Sequence, residues 1–64
     1  MKTVVSIQAQ YVKDGDELKT EDGWLRTGGV QPLSEDRVGI LTPSGMIGAP
    51  ATALVTVRRA SKEG

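Results

Sequence analysis

Leu18-Lys19-Thr20-Glu21-Asp22-Gly23-Trp24-Leu25 decides the class of this fold. Asp-Gly supplies the positive-φ conformations that tight hairpin turns require, so Glu21-Asp22-Gly23 predicts a reversal of the chain. A short strand over 17–20 leads into the turn and residues 24–31 return from it. Upstream, Asp14-Gly15-Asp16 reads as a break. Before it, residues 3–12 alternate, with Val5, Ile7, Ala9 and Tyr11 on one side and Ser6, Gln8 and Gln10 on the other. That is the period of a half-buried strand, and in this phase Tyr11 is at least half buried.

Downstream, Gly28-Gly29 marks a bulge where a small sheet can bend toward closure. Pro32-Leu33-Ser34-Glu35-Asp36 reads as a polar loop, 37–42 as a strand, Pro43-Ser44-Gly45 as a turn and 46–48 as a short strand. Residues 51–53 fit one helical turn before a last strand at 54–59, where Ala53, Val55 and Val57 alternate with Leu54, Thr56 and Arg58. Glycine and proline recur too often for a helix longer than roughly a dozen residues. The expectation is an all-β chain of five to six short strands, bent into a small, partly closed barrel of the SH3-like or OB-like kind. One domain is expected over 1–59, with 60–64 a flexible tail.

The 64 residues include eight basic and eight acidic side chains, no Phe, one Trp and one Tyr. The core must therefore come from Val5, Ile7, Val12, Leu18, Val30, Val38, Ile40, Leu41, Ile47, Leu54, Val55 and Val57, with Trp24 as its largest filler. Such a core is thin, and thin cores without staples are often relieved by self-association or a permanent partner. Between Val38 and Val57 no residue is charged. A membrane span is not expected there, because Pro43 and Pro50 would each cost a helix interior about 3 kcal/mol.

The absence of cysteine and histidine removes disulfides, thiolate zinc sites and the usual proton shuttle. No signal peptide is expected, since the first residues lack an apolar run, and a cytoplasmic location fits a cysteine-free chain. Asp14, Asp16, Glu17, Glu21 and Asp22 miss the calcium-loop spacing, with Leu18 where a ligand is needed and Lys19 where a glycine is needed. They read as exposed turns, so no metal is assigned. Ser6, Ser34, Ser44 and Ser61 have no histidine base and sit in neither G-x-S-x-G nor S-x-x-K. Gly45-Met46-Ile47-Gly48 has the letters of a nucleic-acid-clamping G-x-x-G loop without its flanking helices or basic character. No catalytic residue and no cofactor are assigned.

Val12-Lys13-Asp14-Gly15-Asp16-Glu17-Leu18, with Asp22-Gly23-Trp24-Leu25-Arg26 and Gly28-Gly29-Val30, resembles small β-barrels of the SH3-like group. It is similar to KOW-type modules of ribosome and transcription factors and to the hairpins of Hint domains. The Gly-rich style also resembles accessory proteins of actinobacteria and their phages. The chain departs from Hint domains in lacking a nucleophile or histidine, and from ribosomal members in lacking a basic excess. The resemblance implies the fold and no active site.

Two functions follow as expectations. The first is a non-enzymatic module that binds a protein partner or itself, with Leu41, Met46, Ile47, Tyr11 and Trp24 as contact candidates. The second is a nucleic-acid-binding accessory domain, for which Lys2, Arg26, Arg37, Arg58, Arg59 and Lys62 should converge beside an exposed Tyr11 or Trp24. Arg58 and Arg59 leave opposite faces of a strand, so only one of them can join a given patch.

Overall fold

The computed structural model describes residues 2–60. These form strands β1 (Lys2–Gln8), β2 (Asp14–Thr20), β3 (Gly23–Gly28), β4 (Val30–Ser34), β5 (Arg37–Thr42), β6 (Gly45–Pro50) and β7 (Leu54–Ala60), with a 3-10 turn at Ala9–Tyr11. The strands make two antiparallel sheets, ordered β1-β7-β2-β3 and β4-β5-β6. The all-β expectation holds, with seven strands in place of five or six. The two ladders remain separate sheets and do not close into one barrel. Residue 60 belongs to β7, paired with Lys2; the rest of the expected tail lies outside the described residues.

Two hairpins share one device that alternation alone does not reveal. In Thr20-Glu21-Asp22-Gly23 the amide N–H of Asp22 donates to Thr20 Oγ1 at 3.1 Å, and that hydroxyl donates to the Gly23 carbonyl at 2.9 Å. Thr42-Pro43-Ser44-Gly45 repeats the pattern, at 3.2 Å from Ser44 N–H and 2.7 Å to Gly45 O. The positive φ falls on Gly23 (110°) and Gly45 (130°), and among the described residues on no non-glycine residue, so Asp22 itself keeps a negative φ.

The departures from expectation have local causes. β1 stops at Gln8 because the chain tightens at Ala9–Tyr11, where Ala9 N–H donates to Ala53 O at 2.8 Å and Gln10 N–H to Ala51 O at 3.0 Å. Period-2 phase is lost there, and Tyr11, expected half buried, is 58% exposed. At Asp14-Gly15-Asp16 the strand does not break but bulges. The Asp16 N–H donates to Lys13 O at 3.0 Å and the register shifts between Asp14 and Glu17. Residues 32–36 are not a loop. Val30–Ser34 pairs with β5 at the edge of its sheet, where the missing N–H of Pro32 is tolerated, and only Glu35 and Asp36 turn. The 51–53 segment does form a single turn, with Ala53 N–H donating to Pro50 O at 3.1 Å.

Gly28-Gly29 is where the chain leaves one sheet and enters the other, and Leu41 N–H donates to Gly29 O at 2.9 Å across the junction. Between the sheets lie the buried Ala9, Val12, Leu18, Val38, Ile40 and Val57, with Val5, Ile7, Val30, Ala49, Ala51 and Val55 packed on them. Trp24 is not in this cluster. It pairs with Lys19 while its neighbour Leu25 pairs with buried Leu18, so alternation sends Trp24 to the outer face. Ile47 and Leu54, also expected in the core, are 38% and 71% exposed.

Ile40, 1% exposed, is the largest fully buried side chain among the described residues. Ile40→Ala should cost about 2–5 kcal/mol, against a total on the order of 3–10 kcal/mol for a chain of this size. Urea titration should show the midpoint of that variant displaced to well below half the wild-type denaturant concentration, with its native baseline shortened or lost. Ile40→Val should lose about 1 kcal/mol and keep a cooperative transition.

Candidate functional site

Charge in this chain is organised by two dipeptides, Asp16-Glu17 on β2 and Arg58-Arg59 on β7. Consecutive strand residues leave opposite faces, so the two arginines grip β2 from both sides. On the outer face Glu17 Oε1 accepts from Arg58 Nε at 2.8 Å and from Lys2 Nζ at 2.6 Å. On the opposite face the Arg59 guanidinium forks onto Asp16, Nε to Oδ1 at 3.1 Å and Nη2 to Oδ2 at 2.7 Å. Asp16 Oδ2 also accepts from Lys13 N–H at 2.9 Å, and the Asp16 carbonyl accepts from the buried Thr27 hydroxyl at 2.9 Å. The acidic residues expected in exposed turns are therefore divided: Asp16 is 4% exposed and paired, Glu17 is half-buried and paired, and Asp14, Glu21 and Asp22 face solvent.

These contacts set the protonation states. Burial by itself would raise the Asp16 carboxyl, but hydrogen bonds from Arg59 and the Lys13 amide, with their positive charge, bring it below the usual range. Hydrogen bonds from Arg58 and then Lys2 hold Glu17 at about 2. Arg59 is raised by its bond to Asp16.

Of the cations expected to converge, Lys2, Arg26 and Arg58 do so, lining with Glu17 a hollow of about 340 Å³ on the outer face. The Arg58 guanidinium lies 4.5 Å from the Trp24 ring centre and the Lys19 ammonium 5.6 Å from it. Arg59 is turned to the other face by its bond to Asp16. Arg37 belongs to the second sheet, beside Gly48. The convergence is thus partial, and Lys62 lies outside the described residues.

The contact candidates also divide. Met46, 47% exposed, lies over Gly39 so closely that a Cβ there would push its side chain aside. Leu41 packs near Gly28, Tyr11 stands on the 3-10 turn and Trp24 is on the outer face of the other sheet. Ile47 alone lines an apolar cleft of about 600 Å³. The β2–β7 ladder has only two partner pairs, Glu17 with Arg58 and Leu18 with Val57. Past them the strands diverge, leaving Leu18 on one wall, Leu54 and Val55 on the other, and Ile40, Ile47 and Ala49 as the floor.

Leu54, expected in the core, lines this cleft instead. Its signal was present, since it shares the polar phase of β7 with Thr56 and Arg58. Val4, in the polar phase of β1, and Leu33, in the stretch expected as a loop, are also exposed, at 56% and 44%. Among the described residues no three carboxylates gather as around a hard cation, and no helix is long and apolar enough to cross a membrane. No protein-family model, curated protein or solved structure matches the chain.

The lowered carboxyls tie stability to pH in one direction. A depressed native pKa adds stability above the unfolded value that is lost as pH falls through the native one. For Glu17 that window runs from 4.5 down to about 2. Thermal midpoints of the wild-type chain should fall steadily across it, and the fall should be shallower in Glu17→Gln. Parallel curves for the two proteins would show that Glu17 carries no linkage.

Proposed function

We propose that the chain is a non-enzymatic interaction module that receives an extended, uncharged segment of a protein partner in the cleft between β2 and β7. The observation that carries this is the early end of the β2–β7 ladder over an apolar floor. Two diverging strands offer backbone groups to an added strand, and apolar side chains below them take its inward-facing residues. An uncharged segment suits the apolar part of the lining, Leu18, Leu54 and Val55 over Ile40 and Ile47, while Lys19 and Glu21, of opposite sign, line the cleft beside it. We read the two sheets, joined at Gly29 and by the Leu41 amide, as a partly closed barrel of the SH3-like or OB-like kind. The same proposal places the module in the cytoplasm, as an accessory protein of the phage type.

Leu54 is 71% exposed, so Leu54→Asp should leave folding within about 0.5 kcal/mol of wild type, while Ile47→Asp, opposite buried Ile40, should cost about 1 kcal/mol and still fold. A partner captured from the source cell by the wild-type chain should be lost by both variants and kept by Gln31→Glu on the other sheet. Equal capture by all four proteins would place the contact elsewhere.

A KOW-like nucleic-acid role draws on a separate observation, the gathering of Arg26, Arg58 and Lys2 beside Trp24. Against it, Glu17 already pairs with two of those cations, offsetting one positive charge, and Arg58 covers the indole. Titration with labelled single- and double-stranded DNA and RNA at two salt concentrations separates the two functions. A module for protein segments should show no salt-dependent binding. Binding that falls with a log–log slope of about one per phosphate contact, and weakens in Arg26→Ala, would favour nucleic acid.

A further inference from the structure

The two sheets expose four edge strands, β1, β3, β4 and β6. Natural sheets guard such edges with charges, prolines, bulges or glycines, because a bare edge pairs with any strand that meets it. β3 carries Arg26 and is bounded by Gly23 and Gly28. β4 carries Pro32 and a register irregularity, and β6 carries Gly45, Gly48 and Pro50. β1 carries only one, Lys2 at its start. Its residues Thr3-Val4-Val5-Ser6-Ile7-Gln8 hold no charge, proline or glycine, pair with β7 in unbroken register, and have no second neighbour among the described residues. Its one charge, Lys2, is drawn onto Glu17 of its own chain.

We infer that β1 is a homodimerisation edge, and that a second copy of this chain pairs with it antiparallel about a two-fold axis to give a continuous eight-stranded sheet. Symmetry narrows the register. A two-fold relating antiparallel strands keeps outer faces outward, so opposed residue numbers must sum to an even value. A sum of ten, with Val5 opposite its own copy, pairs all seven residues of β1. Val4 then faces Ser6, Thr3 faces Ile7 and Lys2 faces Gln8. No like charges oppose one another, and the chain's zero formal net charge adds no overall repulsion. The axis passes beside Val5, which packs on the core in the same half-buried layer as Ile7 and Val55. Pairing therefore continues the apolar layer of each copy into the other, which is the relief that a thin core needs.

The test is sedimentation equilibrium of the full chain over a dilution series, beside V4E/S6E. In that variant each introduced carboxylate faces one from the other copy, while within the chain residue 4 lies opposite Arg58 and the core is untouched. Wild type should show a concentration-dependent dimer, and V4E/S6E should weaken it at least tenfold with an unchanged circular dichroism spectrum. Because the chain has no cysteine, V5C under mild oxidation should give a disulfide-linked dimer, and Q31C on β4 should not. Ile47→Asp, in the cleft, should dimerise as wild type, so a failure of the cleft proposal leaves this result standing. A wild-type chain that remains monomeric at millimolar concentration, or a V4E/S6E chain that dimerises as tightly as wild type, would overturn the inference.

Discussion

The join between β2 and β7 is the constraint on which the rest of the molecule depends. It connects the β2–β3 hairpin to the β1–β7 pair, yet its ladder has only two partner pairs. Asp16-Glu17 and Arg58-Arg59 reinforce it from both faces. The two arginines are about one third exposed, so solvent screens them and their net contribution to stability is modest. Their effect on register is larger. A one-residue slip would send each side chain of β2 to the other face and carry Glu17 to the side where Asp16 now sits almost cut off from water, leaving a buried carboxylate without its arginine.

The same join shapes both surfaces discussed above. Because the ladder ends at Leu18 and Val57, the strands separate toward the Thr20–Gly23 turn and the floor of Ile40 and Ile47 stays open. Because Glu17 draws Arg58 and Lys2 to itself, the outer face is less basic than its count of cations suggests. Trp24 follows from this arrangement too. It lies against Arg58, a cation–π contact worth about 0.5–1 kcal/mol at an exposed site, and serves the outer face in a chain that has little aromatic surface to spare for its core.

Much of the fold was legible. The Asp22-Gly23 hairpin, the bend at Gly28-Gly29, strand 37–42 and the 51–53 turn all came from local chemistry, in which glycine and proline constrain the backbone whatever surrounds them. The failures were non-local. Nothing within residues 3–12 announces that Ala9 and Gln10 will donate to Ala53 and Ala51, forty residues away, and it is those bonds that turn Tyr11 outward. Pro32 argued for a loop because edge position, which excuses a proline, is a property of the finished sheet. Asp16 looked like turn surface because its partner, Arg59, lies 43 residues along the chain. The cleft was half visible. Ile47 was singled out, while Leu54 was taken for core although its phase with Thr56 and Arg58 placed it on the polar side of β7.

Amide hydrogen exchange in the D16N/E17Q variant tests most directly whether the carboxylate–arginine join holds the two halves of the first sheet together. Protection should fall across β2 and β3 while the amides shared by β1 and β7 keep theirs, since that seven-residue ladder does not depend on the join. Equal loss of protection in all four strands, or no loss in any, would contradict the account.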